Sequence, residues 1–150
     1  MSKVTFQVEP WETYYAEARL LWPGHWKELA TDPKMPCGPD VEFYKAAQRA
    51  GIMQIVTART EGRLVGYQIS IIRRHTHYPV LCAFEDTFYL DPLYRKGMTG
   101  VKLISQSLKF LKALGVQRVY FMSIDSKPTE KLFQFLKFKR SHTVWSRRLD

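Results

Sequence analysis

The sequence predicts a mixed α/β domain: a largely antiparallel sheet with helices on both faces. Alternating apolar and polar residues mark strands at Val4 to Val8, at MQIVTART, at LVGYQISIIRR and at VLCAFEDTFYL. A broad apolar stripe marks a helix from Val101 to about Leu114. The order of elements, β, α, α, β, β, β, α, β, α, β, puts antiparallel hairpins first and βα alternation after them. With 150 residues, 45% of them hydrophobic, the chain can build one sizeable core, so residues 1–150 are read as a single domain.

Each element has a local reason. Pro10 opens a helical region in which Tyr14, Ala18, Leu21 and Trp22 recur at helical spacing. Pro23-Gly24 predicts an interruption, after which the helix resumes through Trp26, Leu29 and Ala30. Two tryptophans and a histidine surround that break in LLWPGHWKEL, which makes Trp26 a candidate for lining a substrate cleft. The proline-rich run Thr31 to Asp40 reads as a loop, and Asp40 as the N-cap of a helix VEFYKAAQRA that stops at Gly51. Glu61-Gly62 joins two strands in a tight hairpin. The next hairpin ends in RRHTHYP, where His77 and Tyr78 are candidates for the edge of a cleft. His75 and His77 lack an accompanying cysteine or carboxylate cluster, so no metal is expected. Past Gly115, VQRVYFMSI reads as a strand, and SKPTEKLFQFLKF as a short helix with Ser126 near its cap and Pro128 in its first turn. The tail RSHTVWSRRL alternates as a final strand.

Charge is unevenly placed. Residues 1–90 hold ten Lys+Arg against ten Asp+Glu, so residues 91–150, with thirteen against four, carry the whole net charge of +9. An excess of this kind suits an anionic partner. The basic residues are scattered without an aromatic-interleaved stripe, which argues against nucleic acid as the main partner. No apolar run approaches the roughly 20 residues that span a bilayer, and MSKVTFQVEP lacks a signal-peptide core, so no membrane association and a cytoplasmic location are expected. Cys37 and Cys82 do not make a disulfide framework.

The stretch Asp86 to Ile104 is the one with a chemical signature. A strand breaks at Asp91-Pro92, passes the basic turn Arg95-Lys96-Gly97, and becomes a helix after Gly100. Free N–H groups at a helix start, together with the helix dipole, favour an anion, here an anionic cofactor.

This stretch, the order of elements and the late LFQFLKF helix together resemble the GNAT N-acetyltransferase superfamily, over most of the chain and least over residues 10–50. The run DTFYLDPLYRKGMTGVKLI followed by LGVQRV is similar to GNAT-like proteins encoded by bacteriophages, which would place the protein in a host cytoplasm. The resemblance implies a GNAT-like acyl-CoA N-acyltransferase fold, acetyl-CoA as donor, an amine acceptor (a small molecule, a protein lysine or a chain N-terminus) and a possible homodimer. Its phosphate-loop pattern, Q/R-x-x-G-x-G/A, falls on Arg95, Lys96, Gly97, Met98, Thr99 and Gly100, with Met98 where a glycine is usual. The main chain of Phe88, Tyr89 and Leu90 is implied to pair with the pantetheine arm. A base is needed to neutralise the amine, and a carboxylate in an apolar strand has the raised pKa that suits it. Glu85 and Asp86 point to opposite faces of a regular strand; the resemblance favours Asp86, sharing a face with Phe88 and Leu90, with Glu85 second. Relatives often carry a proton-donating tyrosine in the late helix, and here Phe133 takes that place. A second reading is therefore a non-catalytic module that binds coenzyme A, or that engages an acidic protein or nucleic acid through its basic part.

Overall fold

The computed structural model describes residues 3–124 and 129–150. In chain order the elements are β1 (Val4–Val8), α1 (Trp11–Leu29), α2 (Val41–Arg49), β2 (Met53–Thr60), β3 (Arg63–Arg74), β4 (Leu81–Leu90), a 3-10 turn (Pro92–Tyr94), α3 (Thr99–Ala113), β5 (Arg118–Tyr120) and α4 (Thr129–Phe135). The sheet runs β1-β2-β3-β4-β5. Its first four strands are antiparallel, and β5 joins β4 in parallel over Cys82–Phe84.

Side chains of successive strand residues face opposite sides, so each strand feeds two cores. Trp11, Tyr14 and Ala18 of α1 pack with Ile55, Tyr67, Ile69 and Tyr89 on one face. Leu103 of α3 packs with Val56, Ala58 and Val65 on the other. The mixed sheet with helices on both faces is therefore as the sequence predicts. Because both faces are covered, β2 and β3 are buried along nearly their whole length, polar residues included. Three of those residues join Ser107 of α3 in one network: Gln54 Nε2 donates to Ser107 Oγ at 3.2 Å, Gln68 Nε2 donates to Ser70 Oγ at 2.8 Å, and Ser107 Oγ donates to Gln68 Oε1. This polar bolt fixes α3 against the sheet from within its apolar stripe.

Four expectations about elements change. α1 continues through Pro23 without a break, because its buried residues Trp11, Tyr14, Ala18 and His25 keep the helical period across the proline, and packing outweighs the lost backbone bond. β5 stops at Tyr120 rather than near Ile124, where the Glu85 carboxylate takes the N–H of Met122 at 3.1 Å. The tail forms no strand: its alternation finds no ladder partner, and Arg148 instead reaches back to Asp32 at 3.2 Å. α3 begins at Thr99, two residues before Val101, and Leu114 at its end is 58% exposed. The cap assignments to Ser126 and Pro128 lie outside the described residues.

Candidate active site

The site is built on an irregularity in β4. Ile69 pairs with Thr87 and Ser70 with Glu85, so Asp86 is an extra residue without a partner, a β-bulge. Asp86 and Thr87 consequently point to the same side, toward α1 and α2. Asp86 Oδ2 accepts a hydrogen bond from the Tyr44 hydroxyl of α2 at 2.7 Å, and Thr87 Oγ1 lies 3.4 Å from His25 Nε2 of α1. Phe88 faces α3 instead, packing with the cluster of Val56, Val65 and Leu103. The expectation that Asp86 shares a face with Phe88 and Leu90 is thus corrected: the bulge shifts the alternation by one residue. Glu85 is left on the α3 side.

Asp86 and Thr87 border a cavity of about 360 Å³ between the sheet, α1, α2 and the loop after α1. Trp22 and Trp26 line it, as do Tyr14, Tyr44 and Tyr67. Trp26, the sequence's candidate for lining a substrate cleft, is one of this cavity's wall residues, although the helix bend invoked for it is absent. Trp11 supports the wall from behind, its ring stacked on Tyr44 at 4.7 Å and 10°. Gly66 of β3 permits the sheet to close beneath, since a Cβ there would lie 2.7 Å from Leu90 Cδ1 and 2.9 Å from the Tyr89 carbonyl oxygen.

Burial sets the protonation states. Asp86 is exposed to the cavity, and the partial loss of hydration there raises its pKa, with the Tyr44 hydrogen bond acting against it. Burial pushes Glu85 up to about 7, against the Met122 N–H bond. The hydroxyls of Tyr14, Tyr44 and Tyr67 are raised by burial and stay neutral donors. His25 is lowered to about 4 by burial, so it is neutral where its Nδ1 meets the Tyr67 hydroxyl at 2.8 Å.

These shifts act oppositely on stability. Between about pH 4.5 and 7 the folded state keeps a proton on Glu85 that the unfolded chain has released, so this contribution falls as pH rises. Between about pH 4 and 6.5 the unfolded chain protonates His25 and the folded one does not, so that contribution rises with pH. Relative to wild type, Glu85→Gln should gain stability as pH rises through its window and His25→Gln should lose it, each by about 3 kcal/mol at most. Denaturant unfolding at several pH values checks this; variant profiles parallel to wild type would contradict it.

Beyond the bulge, β4 has a partner on one side only, because pairing to β5 ends at Phe84 and Tyr120. The edge of Phe88, Tyr89 and Leu90 leads to the start of α3. The first bond of that helix is Lys102 N–H to the Met98 carbonyl at 2.8 Å, and no side chain caps it, so the N–H groups of residues 99–101 point out of its end. Gly97 takes a positive φ of 75°, which turns the chain into the helix. Met98 is the N-cap, Thr99 the first helical residue, and Gly100 the second, its Cα side facing Leu132, Leu90 and Phe88. Lys96 is exposed beside this turn. Arg95 is already engaged: its Nε donates to the Leu90 carbonyl at 2.7 Å and its Nη2 pairs with Glu28 at 2.6 Å. A strand edge, an uncapped helix end and a basic turn in one line fit a long anionic ligand such as coenzyme A. Gly97→Ala is expected to cost about 1 kcal/mol from backbone strain alone, since the added Cβ meets nothing within 4 Å; thermal melts and donor titration would show the loss in both stability and affinity.

Other residues lie elsewhere. His77 and Tyr78 are exposed at the tip of the β3–β4 hairpin and are not among the cavity's lining residues. Phe133 is buried among Phe121 and Phe138, a packing position with no proton to give. Sequence reasoning missed Tyr44, Tyr67 and the buried His25. Only His25 had a signal, its place between two tryptophans. Among the described residues no group of three or more His, Cys, Asp or Glu is placed to hold a metal, and no helix is long and apolar enough to cross a membrane.

Comparisons with known proteins agree with this architecture. The model of the acetyltransferase (GNAT) family matches residues 11–138. A search of curated proteins found no significant match. An aminoglycoside acetyltransferase from an uncultured soil metagenomic sample superposes with a TM-score of 0.77 at 12% identity, over 99% of each chain. A ribosomal-protein-alanine N-acetyltransferase from Brucella melitensis biovar Abortus 2308 gives 0.73 at 15% identity, over 99% of this chain and 100% of that one. AAC(6')-Iy, solved with the bisubstrate analogue CoA-S-monomethyl-acetylneamine, gives 0.72 at 18% identity, over 99% of each chain. At these identities the likeness is one of fold, and the family match over residues 11–138 settles the rest: the chain belongs to the GNAT acetyltransferase family.

Proposed function

We propose that the protein is an N-acetyltransferase that uses acetyl-CoA as donor and a carboxylate of β4, Asp86, as the base that prepares an amine acceptor. The observation that carries this reading is the bulge, which turns Asp86 into the cavity while the same strand runs on to the uncapped start of α3. Bound acetyl-CoA supplies a thioester carbonyl on which a C–N bond forms as the C–S bond breaks, an ammonium acceptor giving amide, free thiol and one proton. Asp86 accepts the proton that makes the amine neutral, its raised pKa bringing it closer to that task. The Tyr44 hydroxyl orients the carboxylate through one oxygen and leaves the second for the acceptor. The N–H groups at the start of α3, with Lys96 and an Arg95 drawn from Glu28, hold the donor's phosphates. The unpaired edge of Phe88 to Leu90 lies along its amide arm. With Phe133 in the core, the departing thiolate takes its proton from solvent between the parted strands.

Isothermal calorimetry with acetyl-CoA tests the donor, and release of free thiol with an amine panel tests turnover. Absence of binding at sub-millimolar concentration would sink the reading. Binding without turnover on any amine would favour the non-catalytic alternative, for which the phenylalanine at position 133 speaks.

A further inference from the structure

The cavity beside Asp86 has a composition that selects among amines. Trp22, Trp26, Tyr44 and Tyr67 give it aromatic walls, and the exposed Leu29 and Met35 border it on the side of the loop. Asp86 is the only charged residue among those that line it, and the His25 imidazole on the wall is neutral. Several polar side chains of the wall are already bonded to one another. Tyr14 accepts from Trp22 Nε1 at 3.2 Å, Tyr67 meets His25 at 2.8 Å, and Tyr44 donates to Asp86 at 2.7 Å. Such a wall offers a guest one carboxylate and a set of ring faces. A single ammonium is satisfied by both. A second cation on the same guest would find no further acid in the lining to pair with. Peptide groups would meet chiefly ring faces, Leu29, Met35 and two prolines. With about 360 Å³, the space is of the size that holds a small organic molecule.

Building on the acetyltransferase reading above, we infer that the acceptor is a small primary amine with one positive charge on an apolar or aromatic body, and not a polycation or a polypeptide N-terminus. The ammonium sits at Asp86 and the body lies against Trp22, Trp26 and Tyr67. This separates the chain from the aminoglycoside acetyltransferases whose fold it shares, since their named substrates carry several amines.

The test uses the full chain and two independent readouts. Cys37 is exposed and lines the cavity, whereas Cys82 is buried, so the rate of Cys37 alkylation reports occupancy without any chemistry at the thioester. The probes are 2-phenylethylamine, spermidine, an aminoglycoside and an alanine-initiated tetrapeptide. Phenylethylamine should slow alkylation and, with acetyl-CoA present, should be acetylated with a kcat/KM at least tenfold above the other probes. Met35→Asp, which adds a second acid to the exposed loop side of the cavity, should shift the preference toward diamines severalfold. Protection by phenylethylamine without acetylation would uphold the ligand class and overturn the acetyltransferase reading. Acetylation that favours spermidine, the aminoglycoside or the peptide would do the reverse. Failure of phenylethylamine both to protect and to be acetylated would overturn the inference.

Discussion

Asp86→Asn is expected to lower kcat/KM for acetyl transfer by a factor on the order of 10² to 10⁴, the span attributable to one general base. The fold should survive, because asparagine has the same shape and its carbonyl oxygen can still accept from Tyr44. The pH dependence provides a second readout. An active base must be ionised, so wild-type kcat/KM rises with pH through the raised Asp86 pKa, and the variant should lack that limb. Glu85→Gln serves as the comparison, since Glu85 faces α3 and holds the Met122 N–H at 3.1 Å, away from the cavity. If Glu85→Gln rather than Asp86→Asn removes turnover, the base has been assigned to the wrong carboxylate.

Trp11→Ala is expected to have the largest effect on stability. Trp11 is 1% exposed and stacks on Tyr44 at 4.7 Å and on Tyr15 at 5.3 Å. Removing so large a buried ring costs about 3–5 kcal/mol, a fall in melting temperature on the order of 10 °C for a chain of this size. The same change should reduce kcat/KM under conditions where the variant is fully folded, because Tyr44 loses the ring that sets its angle toward Asp86. Trp11→Phe should restore part of both. A melting temperature within two degrees of wild type for Trp11→Ala would show that the aromatic cluster does not support the fold.

The sheet, the hairpin at Glu61-Gly62 and the amphipathic helix after the basic turn were legible because period and turn chemistry are local properties of the chain. Pro23 misled for the opposite reason. Its local effect is to break a helix, and only the sheet beneath α1 supplies the packing that overrides it. The tail misled likewise, since RSHTVWSRRL has a strand's alternation but needs a neighbour to pair with. Within the site, Glu85-Asp86 stood out as charges in an apolar strand, yet which one faces the cavity depended on a pairing register that alternation alone does not reveal. Tyr44 and Asp86 are 42 residues apart and meet through tertiary packing. Ser107 carried no warning either: in the sequence it interrupts an apolar stripe, and in the fold it is completely buried against Gln54 and Gln68.

The bulge has a consequence for chain length. On either side of Asp86 the residues keep strict alternation, with Glu85 opposite Ser70 and Thr87 opposite Ile69. Deleting Asp86 would let those two pairs close up as consecutive rungs, with Phe88, Tyr89 and Leu90 still on the faces they now occupy. A β4 shortened by this residue is therefore expected to fold, since it would pair one more stretch of backbone and keep both cores, losing only the bond from Tyr44. The carboxylate that lines the cavity is in that sense an insertion, and the number of residues in one strand decides whether the cavity wall carries it.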